Sequence, residues 1–128
     1  MHAGYQIIIA EDEQILAALL TRLILRHYST ASIQTFGNGL EAFAAYDAAG
    51  ADLLLVDHGI PGMDGPTLVR TVRARGDSVP IIGMSGDSSV QDAYLAAGAT
   101  AFIDAANMIA QLPMLLSHFL PTLGLWPM

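Results

Sequence analysis

The chain has 128 residues, no cysteine, and twelve acidic against five basic residues, all arginine, for a formal net charge of −7. That length suits one domain; a composition 53% hydrophobic and only 13% charged excludes disorder, the missing cysteine excludes disulfides and thiolate metal sites, and five arginines make a poor nucleic-acid face. The longest unbroken apolar run, Ile15 to Leu20, is far short of a membrane span, and no basic stretch precedes the first acids at Glu11, so neither a membrane segment nor a secretory signal is expected.

No repeat or linker interrupts the chain, so residues 1–128 are read as a single domain. Ile7-Ile8-Ile9-Ala10 is a continuous apolar run of the kind buried on both faces of a parallel sheet. Gln14 to Tyr28 reads as a helix with Ile15, Leu16, Leu19, Leu20, Leu23 and Ile24 on its apolar face and Thr21, Arg22 and Arg26 opposite. Ser32 to Phe36 reads as a second strand. Asn38 is placed to cap the next helix with Glu41 in the capping-box position; Leu40, Phe43, Ala44 and Ala48 are its expected buried face, and Gly50 its end.

Leu53-Leu54-Leu55-Val56 is the third strand, followed by a glycine- and proline-rich loop from Asp57 to Gly65. Pro66 suits the first position of a third helix, which Gly76 stops. Val79 to Met84 is the fourth strand. Asp87 or Ser88 caps a fourth helix ending at Gly98, and Ala101-Phe102-Ile103 is the fifth strand. A last helix falls between Met108 and Leu120 and is expected to begin at Pro113, because proline in a helix interior removes a backbone bond. Five strand–helix units predict an α/β fold with a parallel sheet, right-handed crossovers and helices on both faces.

In such sheets functional groups collect at the carboxyl ends of the strands. Glu11, Asp12 and Glu13 follow the first strand, Asp57 the third and Ser85 the fourth. Carboxylates converging there repel one another unless a cation neutralises them, and Mg²⁺ suits a few carboxylates plus water. Glu13 is better explained as an acid at the positive end of the first helix. Asp57, straight after four buried aliphatics, has no such ordinary reason to be there.

These residues resemble the receiver domain of two-component response regulators over nearly the whole chain. Glu11-Asp12 matches that family's acidic pair, and Asp57-His58-Gly59-Ile60-Pro61-Gly62-Met63-Asp64-Gly65 matches its phosphoacceptor loop. Ser85 matches the switch hydroxyl, Phe102 the switch aromatic, and Gly98-Ala99 the turn between them. The resemblance implies a flavodoxin-like, doubly wound five-stranded sheet in the order 2-1-3-4-5. It implies that Asp57 takes a phosphoryl group from the phosphohistidine of a histidine kinase or phosphotransfer protein. Asp12, Asp57 and the backbone carbonyl of Gly59 would bind Mg²⁺ directly, with Glu11 acting through water. Asp87 lies where relatives tune phosphoryl lifetime, and is equally a helix cap. A cytoplasmic location follows from the same resemblance.

One family position departs. The lysine after the fifth strand is replaced by Ala105, with Ala106 in place of the following proline, and the chain has no lysine anywhere. One positive charge is missing from a site where a charge pair is worth on the order of 4 kcal/mol before desolvation, at ~4 Å and an effective dielectric of ~20. Two further readings therefore stand beside the phosphoacceptor. One is a degenerate receiver acting as an interaction module without phosphate. The other is an aspartate-nucleophile phosphohydrolase, which lacks a visible general acid because Gly59 stands where such enzymes place one. An apolar tail, residues 121–128 with Leu123, Leu125 and Trp126, is expected to contact a partner, a second copy or a neighbouring domain, together with the face formed by helix four, strand five and helix five.

Overall fold

The computed structural model describes residues 4–121. Five parallel strands, β1 (Gln6–Ala10), β2 (Ser32–Phe36), β3 (Leu53–Asp57), β4 (Ile81–Ser85) and β5 (Ala101–Asp104), form one sheet in the order β2-β1-β3-β4-β5. The helices are α1 (Gln14–His27), α2 (Gly39–Ala49), α3 (Gly65–Ala74), α4 (Gln91–Ala97) and α5 (Met108–Phe119). Short 3-10 turns at Ser88–Val90 and Ala105–Asn107 lead into α4 and α5. None of the described helices is long and apolar enough to cross a membrane.

The apolar strands alternate between two cores. Ile7, Ile9, Leu53, Leu55, Ile82 and Met84 pack with Leu20 and Ile24 of α1 and Leu112 and Leu116 of α5. Ile8, Ala10, Leu54, Val56 and Ile81 pack on the other face with residues of α2, α3 and α4. Burial on both faces is why these strands carry no polar residue at every second position.

The helical faces differ from the sequence expectation in two places. On α1 the buried residues are Ala17, Leu20 and Ile24, while Ile15 and Leu19 point to solvent. On α2 the buried residues are Gly39, Ala42 and Tyr46; Leu40, Ala44 and Ala48 are exposed and Phe43 is half-buried. Gly39 explains the rotation of α2: a Cβ there would run into the backbone of Met63, so the helix lies against the 57–65 loop. Met63 is half-buried and packs against the α2–α4 side.

Asn38 does cap α2, its Oδ1 accepting from the Leu40 N–H at 2.8 Å and the Glu41 N–H at 3.3 Å. Asn38→Ala is expected to lower stability by about 1 kcal/mol, read from the midpoint of a urea melt. Asp87 caps the turn before α4 through the Ser89 N–H. β4 begins at Ile81 rather than Val79, since Pro80 has no N–H to give a ladder. Helix α5 starts at Met108 and carries Pro113 in its interior, not at its start. The missing proline N–H leaves the carbonyl of Ile109 without its helical donor, and Ile109 lies on the solvent side, where water reaches it. Of the expected tail, residues 121–128, only Pro121 is among the described residues.

Candidate functional site

The strand order reverses between β1 and β3, and that crevice holds the acidic residues. Ala10 is paired with Val56, so Glu11 and Asp57 leave adjacent strands at the same height. Oxygens of Glu11, Asp12 and Asp57 lie within 4.8 Å of one another. Glu11 is buried, Asp57 half-buried and Asp12 exposed.

Glu11 is held firmly. Its N–H donates to the Phe36 carbonyl at 2.9 Å, and its Oε2 accepts from the Glu13 N–H at 3.0 Å. Its Oε1 is buried with no hydrogen-bond partner among the described residues. Burial, reinforced by the charges of Asp57 and Asp12 and only partly offset by the Glu13 hydrogen bond, pushes its carboxyl up to about 7. Burial also raises Asp57, and the nearby Asp12 carboxylate adds to the shift; hydrogen bonds from the backbone N–H groups of Gly59 and His58 and the charge of His58 oppose it. A buried, unpartnered carboxylate oxygen beside two more carboxylates is an unfavourable arrangement that a bound cation relieves. The three residues have the oxygen donors and the spread of burial that a hard divalent ion uses.

The 57–65 loop is tied down at both ends. The His58 N–H donates to the Met84 carbonyl at 3.0 Å and the Gly65 N–H to the His58 carbonyl at 3.1 Å. Gly59 is exposed, and its N–H reaches Asp57 Oδ2 at 3.3 Å. Asp64 caps α3 through the Thr67 N–H, and that bond holds its carboxyl below the usual range. Ser85 ends β4, buried, with its Oγ accepting from the Asp87 N–H at 3.0 Å. The Asp87 carboxylate is engaged by Ser89, which lowers its pKa.

The position after β5 is also defined. Ala105 opens the 3-10 turn, half-buried, and packs against the α1–α5 core. Asp104 turns its carboxylate to the Ala106 N–H. The hydrogen bonds of Arg70, Arg73 and Arg75 all go elsewhere: to Thr67, to Gly98, Asp77 and Thr100, and to Asp47. Arg22 lines a cleft of ≈ 540 Å³ together with Glu11 and Asp12, but forms no ion pair among the described residues.

Sequence reasoning missed Tyr94. This residue of α4 is fully buried, and its hydroxyl donates to the Val56 carbonyl at 2.8 Å, one residue before Asp57. Its ring lies 5.8 Å from that of Phe102 and 6.3 Å, edge-on, from that of His58. A Cβ on Gly83 would fall 2.5 Å from the Tyr94 ring, and one on Gly65 would strike its hydroxyl. The available signal was Gly83 itself, since glycine inside an otherwise apolar strand marks a close approach.

Comparison with known proteins agrees with this arrangement. The chain is 38% identical over 86 residues to the sensory transduction protein RegX3 of Mycobacterium tuberculosis, a match covering 67% of this chain and 37% of that protein. It is 31% identical over 104 residues to the cyclic di-GMP phosphodiesterase response regulator RpfG of Xanthomonas campestris, covering 78% and 28%. The chain thus spans about a third of the length of the curated relatives it matches. In fold it is similar to the receiver domain of a sensor histidine kinase from Pseudomonas aeruginosa, solved with a magnesium ion in its active-site cleft (TM-score 0.80, 24% identity, 91% of this chain and 98% of that one). It is equally similar to a chain of the CheX–CheY–BeF3–Mg complex from Borrelia burgdorferi (TM-score 0.79, 23% identity, 91% and 90%). The response regulator receiver domain family matches residues 7–112. With the strand order, the acidic crevice and this match in agreement, the chain belongs to the response regulator receiver domains.

Proposed function

We propose that Asp57 is the phosphoacceptor of this receiver, loaded from the phosphohistidine of a histidine kinase or phosphotransfer protein, and that Glu11, Asp12, Asp57 and the Gly59 carbonyl hold Mg²⁺. The observation that carries this reading is the buried, unpartnered Oε1 of Glu11, on a carboxylate grouped with two others. A receiver domain of the same fold holds magnesium in its active-site cleft. When bound, Mg²⁺ would supply positive charge against the phosphoryl oxygens and screen the carboxylates from one another.

The chain's own part is positioning. A carboxylate oxygen of Asp57 forms the new P–O bond as the donor's P–N bond breaks, and the electron pair leaves with the imidazole. Most of the catalysis in such transfers is alignment and electrostatics. β3 and the two loop hydrogen bonds of His58 fix the nucleophile. Ser85 has a hydroxyl proton to donate to the arriving phosphoryl oxygen, and Phe102 is the residue whose packing would register that movement. Asp87 would tune the lifetime of the product only by leaving its capping bond. The reading carries with it a signalling rather than metabolic role, a cytoplasmic site and a single receiver domain over residues 1–128. The face formed by α4, β5 and α5 would meet a second copy or a neighbouring domain.

One observation favours a second reading. Ala105 supplies a methyl where the family's ammonium would sit, and the hydrogen bonds of Arg70, Arg73 and Arg75 lie elsewhere. The domain would then act as an interaction module without phosphate. Incubation with acetyl phosphate and Mg²⁺, read by intact mass, separates the two. We expect one phosphoryl adduct, absent in Asp57→Asn, and a faster-forming adduct in Ala105→Lys. No adduct in either background, with no Mg²⁺ binding, supports the interaction module. Continuous release of phosphate from small phosphoesters would instead support the hydrolase.

A further inference from the structure

Among the described residues, nothing covers the outer side of α1. Ile15, Leu19, Arg22 and Arg26 follow one another at i, i+4, i+7 and i+11, a single stripe along the helix. They line a groove of ≈ 920 Å³ that reaches Ile109 on α5. Ile15 is 82% exposed and Ile109 65%. The two arginines in the groove form no ion pair among the described residues, although the chain carries twelve acids.

The course of the chain says what can reach it. Tyr28, the residue that ends α1, donates its hydroxyl to the Leu120 carbonyl at 2.7 Å, and the Tyr5 hydroxyl donates to the Pro121 carbonyl. Pro121 therefore leaves the domain beside the last turn of α1, where the groove begins at Leu25 and Arg26. Residues 122–128 follow, with Leu123, Leu125, Trp126 and Met128 and no charged side chain. Seven extended residues reach up to about 23 Å. The stripe from Arg26 back to Ile15 is about 16 Å long.

We propose that residues 122–128 fold back into the α1–α5 groove of their own domain, with Leu123 and Leu125 against the aliphatic residues and the Trp126 indole against the arginine guanidiniums. Arginine stacks on an indole face better than on any other ring, and a neutral segment meets the two cations without requiring a countercharge. A second copy fits less well: a two-fold contact centred on the stripe would bring Arg22 and Arg26 toward their own symmetry mates. Because the segment is covalently attached, its effective concentration is in the mM range for so short a connection, so modest contacts suffice. Docked, it takes α1 out of reach of other proteins up to Ile15, three residues from Asp12.

Trp126 is the chain's one tryptophan, which makes the test direct. Emission and acrylamide quenching are measured on the 128-residue chain, on Ile15→Asp and on Leu19→Asp, over a hundredfold range of concentration, with far-UV circular dichroism to check folding. The expected result is a blue-shifted, protected indole at every concentration in the native chain. It becomes several-fold more quenchable in Ile15→Asp, whose exposed position leaves the fold intact. Three results would overturn the proposal: an indole as quenchable as in the urea-unfolded chain, protection lost on dilution (a contact between copies), or protection indifferent to both substitutions. None of these readouts depends on whether Asp57 is phosphorylated, so the two proposals fail separately.

Discussion

Tyr94→Ala is expected to lower the stability of the domain by about 3–5 kcal/mol, the range for emptying a fully buried aromatic site. The local geometry argues for the upper part. The space is bounded by Gly83 on β4 and Gly65 at the start of α3, and neither has a side chain that could relax into it. The hydroxyl contributes separately. Tyr94→Phe keeps the ring and is expected to cost about 1 kcal/mol, the net worth of the bond to the Val56 carbonyl. Gly83→Val probes the same contact from the other side: a branched side chain on β4 meets the ring, and overpacking of this kind costs about 1–3 kcal/mol. Urea melts of the three variants give these values. A Tyr94→Ala loss below 1 kcal/mol would mean that α4 is not braced through this residue.

Metal-free protein is expected to lose stability as pH rises from about 5 to about 8. The Glu11 carboxyl sits near 7 in the folded protein against an ordinary 4.5. The folded state therefore holds its proton where the unfolded chain has released it. The favourable difference is fully present below the unfolded value and is gone once pH passes the folded one. The interval corresponds to on the order of 3 kcal/mol. The raised Asp57 works in the same direction. Mg²⁺ should reverse the trend, since a bound cation favours the ionised carboxylates, and its affinity should fall as protons compete below pH 7. Melts at pH 5 and pH 8, with EDTA or with Mg²⁺, test both halves. Glu11→Gln is expected to remove most of the metal-free slope and to weaken the Mg²⁺ effect. A metal-free profile that rises between these pH values would contradict the burial of Glu11.

Much of this architecture was legible in the residues. The apolar runs located β1, β3 and β4 to within two residues, because strands buried on both faces have few alternatives. Glu11, Asp12, Asp57 and Ser85 could be placed on one edge because each stands at or just past the carboxyl end of a strand. The helix faces were less legible. In α1, apolar residues occupy more than half the circumference, and periodicity alone could not say that Ile15 and Leu19 face outward. In α2, Leu40 outranks Ala42 in hydropathy, yet close packing at Gly39 turned the smaller residue inward. Pro113 was misread as a helix start because the solvent side of α5 excuses its missing bond. Tyr94 could not be foreseen from spacing, since its importance depends on glycines eleven and twenty-nine positions away.

The sheet works as a septum. The α1–α5 side and the α2–α4 side hold separate sets of buried residues, and along the central strands neighbouring residues belong to opposite sets. The two half-cores are thus joined through strand backbones rather than through interlocking side chains. Sites more than about 7–10 Å apart without shared partners respond additively. Changes on the α1 side, including whatever covers its groove, should therefore leave the packing around Tyr94 and Phe102 unaltered. The acidic edge, where Glu11, Asp57 and Ser85 stand at the ends of the septum, is the place where both compartments are felt at once.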